Sequence, residues 1–502
     1  MKRFMHLLLA ALMLITSCTA FAADGTSNVY QGYTYDFFRN VKSTPAPFVL
    51  SQVIDSSNVA KMGRTIETVS DVCTTKDGRI FIVDRVSSII YAMDSNGELL
   101  TTEINGKAKN IGVISAIKDI NDPELKKNAQ IDKVNVKLLN PEGVFYHEKN
   151  EELYVCDTGN QRILVLDGHT FAMKRAILRP DNLTGETEFK PSKIAVDNAD
   201  RIYVVVQPSY EGIIELNEDG SFSRYFGVNE PQINMVDFLW KSIASDKQKE
   251  KMGKTYAPAF NNVTLDGEGF VMAVTSDSAS ADKVFRLNFA GANVLREMGN
   301  IKVIGDLATE NPSAFVDIAV KPYGTYALLD KTYGHVFLYN FDGELLCVFG
   351  SKGNAVGQFK TPSTIAWLGN KLIIGDADLK SAYIYEPTAF GSALLKAGEA
   401  YYNGEWDTAT AHFEEVLRLC ANLETAYVGI GKNLLMKEDY EGAMYNFKLG
   451  NNREFYSRAY KGYRTIVMKE NFWVIALVAV VFIGAVLGSE VSYHQKQKRR
   501  MK

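Results

Sequence analysis

The chain has 502 residues, of which 46% are hydrophobic and 23% charged, so it is long enough for two or three domains with full-sized cores. This ordinary composition excludes wholesale disorder and fibrous repeats. The formal charge is −4; removing the first 22 residues leaves −6, and removing the basic segment 489–502 as well leaves −10. An acidic middle lacks the cationic surface that phosphate backbones require, so we predict no nucleic-acid binding.

The N-terminus has the three-part layout of a secretory signal. A basic start precedes the apolar run Leu7–Ile15, and a stretch of small residues ends at Ala22. This pattern predicts a signal peptide over 1–22, which places the body of the protein outside the cytoplasm. A competing interpretation stays open, because Ile15–Cys18 resembles a bacterial lipobox and would leave a lipidated Cys18 at the mature N-terminus.

The C-terminal region predicts one transmembrane helix. Phe472–Gly488 holds seventeen residues without a charge, which at about 1.5 Å per residue just crosses the hydrocarbon core. Five of the last seven residues are Lys or Arg, so the tail 489–502 should remain in the cytoplasm. We therefore expect a single-pass type I protein of the cell membrane, with an extracytoplasmic body and a basic cytoplasmic tail.

A repeat with a period of about forty residues fills the middle of the chain. Each copy contains up to four apolar strands, joined by a tight turn, a loop and an Asp-Gly-type turn. Six such units predict a mainly β fold, a six-bladed β-propeller over 30–390. The last copy has three strands, so we expect its fourth from the N-terminal segment 47–54, which would close the ring. The six copies are Thr68–Leu100, Asn140–Ala176, Pro191–Phe226, Asn261–Gly299, Val316–Gly350 and Pro362–Glu386.

The second copy, NPEGVFYHEKNEELYVCDTGNQRILVLD, closely resembles the NHL repeat family. Asp84 and Asp330 match the same frame less completely, whereas Gln207 and Thr275 stand there in the third and fourth copies. The resemblance covers about 340 residues and implies an NHL-type propeller rather than an activity. The residues that carry it are Pro141, Glu142, Gly143, Tyr154, Val155, Asp157, Asn160, Arg162 and Ile163.

From Ser392 the apolar spacing changes to the 3.6-residue period of helices. The segments GEAYYNGEWDTATAHFEEVL and GKNLLMKEDYEGAMYNF resemble tetratricopeptide repeats (TPRs). This resemblance implies a small all-α stack over 392–467, with Asn452–Val467 as its final helix. Such a stack either binds a peptide or spaces the propeller from the bilayer, and the sequence leaves both roles open.

Long connections concentrate on one predicted face of the propeller. Tight turns join the first strand to the second and the third to the fourth, whereas the other connections hold the insertions 101–137 and 227–257. The second insertion contains an apolar spacing that predicts a short amphipathic helix. Because recognition loops are usually carried on a rigid scaffold, we predict binding on this face. The predicted binding residues are Asp84, Arg85, Asp157, Asn160, Arg162, Tyr210, Asp330, Tyr333, Asp376 and Asp378.

Few residues point to catalysis. The histidines of the propeller, His147, His169 and His335, do not share a repeat position, so a three-histidine metal site is not predicted. Asp157 and Arg162 form either a ligand pair or a charge-assisted hydrogen bond that holds a loop. The sequence has no Gly-rich phosphate loop between a strand and a helix, and no GxSxG or HExxH motif.

We therefore predict a non-enzymatic binding protein without a cofactor, which holds a protein, peptide or glycan partner near the membrane. Exported proteins of this layout resemble accessory components of membrane transport complexes. The rival hypothesis is a metal-dependent lactonase or hydrolase, with Ca²⁺ or Zn²⁺ held by carboxylates at the channel mouth. A third hypothesis is a structural scaffold whose helical repeats carry the contacts.

Overall fold

The computed structural model of the protein describes residues 31–104, 107–117, 123–128, 136–183, 188–207, 212–227, 259–277, 280–299, 301–307 and 310–501. Several predictions from the sequence fall outside these ranges. They are the signal peptide over 1–22 with Cys18, the binding residue Tyr210, and the amphipathic helix of the second insertion.

The repeat folds into six antiparallel sheets, the blades of a propeller, as predicted. Apolar strands such as Ile80–Asp84 are buried along their whole length, because each sheet packs against neighbouring blades on both of its faces. The first turn of blade one shows how the chain reverses. Gly78 adopts a φ of 90° there, a left-handed conformation that glycine adopts without a steric penalty.

The strands are numbered along the chain and grouped by blade. Blade one contains β4 (Asp71–Thr74), β5 (Ile80–Asp84), β6 (Ile89–Met93) and β9 (Val113–Ile114). Blade two contains β10 (Gly143–His147), β11 (Glu152–Asp157), β12 (Arg162–Asp167) and β13 (Met173–Ile177). Blade three contains β14 (Pro191–Val196), β15 (Ile202–Val206), β16 (Ile213–Leu216) and β17 (Phe222–Phe226).

The remaining blades have three, six and four strands in the residues that the structure describes. Blade four contains β18 (Asn262–Leu265), β19 (Val271–Val274) and β20 (Val284–Leu287). Blade five contains β21 (Phe315–Val320), β22 (Tyr326–Asp330), β23 (Val336–Tyr339) and β24 (Leu345–Phe349), extended by β1 (Gly32–Tyr35) and β2 (Val41–Thr44). Blade six contains β25 (Pro362–Leu368), β26 (Lys371–Asp376), β27 (Ser381–Pro387) and β3 (Phe48–Ile54).

The ring closes as the strand count predicts. Strand β3 pairs antiparallel with β27, so that Ile54 lies opposite Ala382 and Phe48 lies opposite Pro387. The first strands of the six blades also contact one another in cyclic order, and β25 of blade six contacts β4 of blade one. The N-terminal strand therefore covers the edge that blade six would otherwise expose.

The first copy of the repeat was predicted to end at Leu100, whereas the fourth strand of blade one, β9, lies beyond it at Val113–Ile114. The N–H of Leu100 donates to the carbonyl of Ala92, but a hairpin of β7 (Thr101–Ile104) and β8 (Lys107–Asn110) follows immediately. After the hairpin, Gly112 accepts from Ala92, and β9 resumes pairing with β6. The insertion therefore interrupts the fourth strand, because the hairpin returns the chain to the edge that it left.

Blade five carries a hairpin that the sequence analysis did not predict. Strand β1 pairs with β2 and also with β24, where Tyr33 lies opposite Val348. The Tyr33 hydroxyl donates to Asp306 at 2.8 Å, and Nδ1 of His335 lies 3.1 Å from the same carboxylate. These partly buried polar contacts link the hairpin to the segment before blade five and to His335.

A second compact unit comprises residues 36–40 and 396–502. Within it, the ring of Phe413 covers Gly429, where a Cβ atom would lie 2.4 Å from the ring, and Phe447 covers Gly431 in the same way. Glycine at these positions lets the helices approach closely.

The α-helices of the described residues are numbered along the whole chain. They are α1 (Ser56–Val59), α2 (Pro123–Asn128), α3 (Ala389–Tyr402), α4 (Trp406–Leu419), α5 (Glu424–Met436), α6 (Tyr440–Leu449), α7 (Arg453–Glu470) and α8 (Phe472–Arg500).

The last helix, α8, contains the apolar run 472–488. It has 29 residues, and its most apolar window has a mean hydropathy of 2.6 with none of its surface buried. Its length and composition are sufficient to cross a membrane, and no other helix in the described ranges meets both conditions.

Candidate binding site at the channel mouth

A cavity of about 410 Å³ lies at the mouth of the central channel, and residues from all six blades line it. Six of these residues, one from each blade, occupy the same position in the repeat. Each comes directly before the residue of the first strand that faces the central channel. Because the blades repeat around one axis, this position is brought together six times. The six residues are Ser70, Glu142, Ser192, Asn261, Val316 and Ser363.

β-Bulges place three of these residues in the cavity wall. In blades three, five and six, the pairing of the first two strands shifts register at Ser192, Val316 and Ser363. A bulge adds one unpaired residue and re-aims its side chain. The Ser192 hydroxyl donates to the carbonyl of Val205 at 3.0 Å, and that of Ser363 to Val69 at 2.6 Å. The two bulged serines are therefore held in place by backbone acceptors.

One residue further along, a second ring of residues follows inside the channel. Four of its members, Asp71, Lys193, Asn262 and Asp317, line a second cavity of about 220 Å³. The corresponding residues of blades two and six are Gly143 and Thr364. Polar residues thus occupy this position in five of the six blades.

A buried ion pair connects blade three with blade one. The Nζ of Lys193 lies 2.5 Å from Oδ1 of Asp71, and the two side chains are 12% and 9% exposed. The Thr364 hydroxyl donates to the same oxygen at 3.1 Å, and the N–H of Val144 donates to Oδ2 at 2.9 Å. Asp71 thereby connects four blades.

Asp317 has the equivalent role on the other side of the channel. One of its oxygens contacts the side-chain amide of Asn262, and the other accepts the N–H of Ile365 at 2.7 Å. The first strands have no partner strand on the channel side, so their N–H groups need other acceptors. The two carboxylates supply these acceptors to neighbouring blades.

The charges of the channel residues are coupled. Burial raises the pKa of Asp317 to about 6, although the nearby Lys193 opposes this shift. Burial alone would lower the pKa of Lys193, but the charges of Asp71 and Asp317 outweigh this effect and the net shift is upward. Lys193 therefore keeps its positive charge at neutral pH between two carboxylates.

The predicted carboxylates at the ends of the second strands are fully buried. Asp376 accepts four backbone N–H groups, from Lys360, Thr361, Asp378 and Leu379, at 2.7–3.0 Å. Asp84 and Asp330 bond the backbone of their own loops and of the preceding connection in the same manner. The structure places Asp84, Asp157, Asp330 and Asp376 below the surface of the loop-rich face.

Asp157, Asn160 and Arg162 form one contact group. Nε of Arg162 and Nδ2 of Asn160 each donate to Oδ2 of Asp157 at 2.8 Å, and the N–H of Leu139 donates to Oδ1 at 2.8 Å. Burial raises the pKa of Asp157, since it disfavours the charged form. Asp157 thereby connects the loop after β11 to the segment before β10.

One of the predicted binding residues that the structure describes, Arg85, lines the cavity at the mouth. Asp378 lies in a surface loop, where its carboxylate is 3.4 Å from Nζ of Lys360. The Tyr333 hydroxyl bonds the backbone of Asn311 at 3.2 Å. Tyr210 lies outside the described residues.

The channel residues were not predicted because they lie at the start of each first strand. The predicted carboxylates were chosen instead at the end of each second strand. A lone Asp or Lys at the start of an apolar strand, such as Asp71 or Lys193, resembles an ordinary surface residue next to a turn. Aligning the six copies at their first strands would have revealed the signal, since one column then reads Asp, Gly, Lys, Asn, Asp, Thr.

The channel contains oxygen donors of the kind that bind Ca²⁺, namely the carboxylates of Asp71 and Asp317 and the amide of Asn262. The ammonium of Lys193, however, already contacts Asp71 and supplies a positive charge at this position. Within the ranges that the structure describes, no three His, Cys, Asp or Glu side chains are grouped so that they could hold a metal ion.

No protein-family model matches the chain, and no curated protein matches its sequence. Solved structures that it resembles include virginiamycin B lyase from Staphylococcus aureus, with 11% identity, a TM-score of 0.40 and coverage of 68% of this chain and 100% of that one. Hydrazine synthase from Kuenenia stuttgartiensis matches with 12% identity, a TM-score of 0.38 and coverage of 64% and 96%. A Bacteroides caccae protein of unknown function matches with 11% identity, a TM-score of 0.36 and coverage of 59% and 85%.

Proposed function

We propose that the chain is a membrane-anchored binding protein whose propeller recognises a protein, peptide or glycan partner at the channel mouth. The supporting observation is the cavity of about 410 Å³ to which all six blades contribute side chains. These side chains are attached to strand ends that hydrogen bonds hold in place. Such a rigid, concave and partly polar site is suited to binding.

The proposal includes the predicted topology. A signal peptide over 1–22 would export the NHL-type propeller, and the run 472–488 would anchor it as a type I protein with the tail 489–502 in the cytoplasm. The length and apolar composition of α8 support an anchor at this end. The TPR-like helices would bind a peptide or act as a spacer, and the protein would serve as an accessory to a membrane transport complex.

A metal-dependent lactonase or hydrolase is the second candidate, because Asp71, Asp317 and Asn262 offer oxygen ligands inside the channel. The contact between Lys193 and Asp71 favours the binding protein, since the chain itself neutralises part of this negative charge. Metal analysis of the purified full-length protein separates the two. Stoichiometric Ca²⁺ or Zn²⁺ would favour the enzyme.

Site-specific photocrosslinking in native membranes tests the proposal. A photoreactive phenylalanine replaces Gln207 at the mouth in one variant and Lys76, in the first turn of blade one, in the matched control. We expect a discrete crosslinked product from the Gln207 variant and none from the Lys76 variant. Equal labelling from both positions, or none from either, would contradict a partner at the mouth.

A further inference from the structure

We infer that the channel mouth binds an acidic peptide segment, whose carboxylates interact with the side chains of Lys331 and Arg85. This inference rests on the proposed function, in which the mouth is the binding site, and it adds the chemical class of the partner.

The first support is the excess of positive charge among the described residues of the cavity wall, which include three cations, Arg85, Lys193 and Lys331, and one carboxylate, Glu142. Lys331 follows strand β22 and is exposed. Among the described residues, no carboxylate lies within ion-pair distance of its ammonium group. Arg85 is 53% exposed and pairs with Glu142 at 2.9 Å, so its guanidinium is also accessible from the cavity.

Of the described carboxylates that line the two cavities, none contacts Lys331. Glu142 is bonded to Arg85, and Asp71 is bonded to Lys193. Asp317 lies further inside the channel and contacts Asn262. Among the described residues of the cavity wall, Lys331 is therefore the cation that no carboxylate neutralises. In a chain whose middle carries a formal charge of −10, a local positive site concentrates anions at that place.

The second support distinguishes a peptide from a glycan. None of the described residues that line this cavity is aromatic, whereas the apolar faces of sugar rings typically pack on aromatic side chains. Instead, the wall presents hydroxyl and amide groups, including the exposed side chain of Gln207. Such groups hydrogen-bond a peptide backbone, while Lys331 and Arg85 form charge-assisted bonds to a carboxylate.

Fluorescence anisotropy on the full-length protein in an uncharged detergent tests the inference. The probes are a labelled heptapeptide of alternating Gly and Glu with an amidated C-terminus, its Gln counterpart, and that Gln peptide with a free C-terminal carboxylate. A galacturonate trimer serves as a competing anionic glycan. The variants are Lys331→Gln and Arg85→Gln, and Lys76→Gln in a turn of blade one is the control with the same change of charge.

We expect the Glu peptide to bind at least tenfold more tightly than the amidated Gln peptide, with an affinity that decreases as salt increases. Lys331→Gln and Arg85→Gln should each weaken binding about three- to tenfold, whereas Lys76→Gln should not change it. Binding of the free-carboxylate Gln peptide alone would identify a C-terminal carboxylate as the partner group. Binding of the Glu peptide and binding of the free-carboxylate Gln peptide each support the inference, provided that Lys331→Gln weakens that binding.

Equal binding of the Glu and amidated Gln peptides, or no effect of either mouth variant, would overturn the inference. Binding of the galacturonate trimer without binding of any peptide would overturn it in favour of a glycan. Crosslinking at Gln207 separates this result from failure of the proposed function. If crosslinks form but the acidic probes do not bind, the mouth is still the binding site and only the class of partner is wrong.

Discussion

The ammonium of Lys193 in blade three lies 2.5 Å from a carboxylate oxygen of Asp71 in blade one, so this ion pair passes over blade two. Blade two has Gly143 at the equivalent position, and a Cβ atom there would lie 2.3 Å from the carbonyl oxygen of Ser192. The absence of a side chain in blade two thus lets blade three approach closely. The central channel is held together by contacts between blades as well as by the closing strand.

The substitution Lys193→Met should destabilise the protein by about 3–5 kcal/mol, because it leaves the carboxylates of Asp71 and Asp317 buried without their counterion. The double variant Lys193→Met/Asp71→Asn should lose less than the sum of the two single variants. Chemical denaturation of the full-length protein in detergent measures this double-mutant cycle.

The exposed pair Lys437–Asp407 on the helical unit provides the matched control for the cycle. Its coupling should be too small to detect, since solvent screens it. If the effects of Lys193→Met and Asp71→Asn are simply additive, the buried contact contributes no interaction energy and the description of the channel is wrong.

The titration of Asp317 should make stability depend on pH. Burial raises its folded pKa to about 6, compared with about 3.9 for an unfolded Asp, so the folded state binds the proton more tightly. Its contribution to the free energy of unfolding therefore increases as pH falls from 6 to 4 and is constant below that range. Above pH 6 the ionised group costs about 3 kcal/mol.

Comparing wild type with Asp317→Asn measures this contribution together with its coupling to Asp71 and Lys193, because the remaining titrating groups are common to both proteins. Relative to the variant, wild type should lose up to about 3 kcal/mol between pH 4 and pH 7. Denaturation at five pH values in this range provides the measurement. Parallel stability curves for the two proteins would contradict the raised pKa.

Much of the propeller could be predicted from the sequence because its signals are local or follow from counting. Apolar strands and Asp-Gly turns identify the blades, and a blade with three strands requires a fourth, which correctly pointed to Phe48–Ile54. The hairpin 101–110 could not be predicted from the sequence. The chain returns at Val113 to pair with β6, and no local sequence pattern indicates this return. The same holds for the pairing of Tyr33 with blade five.

The candidate site was predicted less well for a different reason. Asp84, Asp157, Asp330 and Asp376 stand out because each follows an apolar strand, but the same pattern describes a buried residue that bonds a loop. Lys193 and Asp71 come from different repeats, and only the closed ring brings them together. Arg85, which was predicted on the loop-rich face, lines the cavity at the mouth.

The closing strand gives a direct test of ring closure. Ile54 is fully buried in the apolar cluster between blades six and one, so Ile54→Ala should cost about 2–5 kcal/mol. Val49, on the same strand, is 39% exposed, and Val49→Ala should cost less than about 1 kcal/mol. Equal unfolding free energies for the two variants would argue against a structural role for this strand.

The carboxylate of Asp376 should act on the loops of blade six rather than on a ligand. Asp376→Ala removes the acceptor of four backbone N–H groups and should cost about 2–4 kcal/mol, with faster hydrogen exchange at those amides. Asp378→Ala, which removes a half-exposed carboxylate from the same loop, is the control and should change stability little. Unchanged stability of Asp376→Ala together with loss of crosslinking at Gln207 would instead identify Asp376 as a ligand group.

The apolar helix α8 should determine how the protein is attached to the membrane. Deleting 472–502 should move the protein from the carbonate-resistant membrane fraction to the soluble fraction, because it removes the apolar run. Placing lysines at Val478 and Ile483 tests the same point with the full chain, since each charge at the centre of a span costs about 2.5–3.5 kcal/mol. If the truncated protein remains in the membrane and Cys18→Ser then releases it, the anchor is a lipid at Cys18 and the apolar helix is not required.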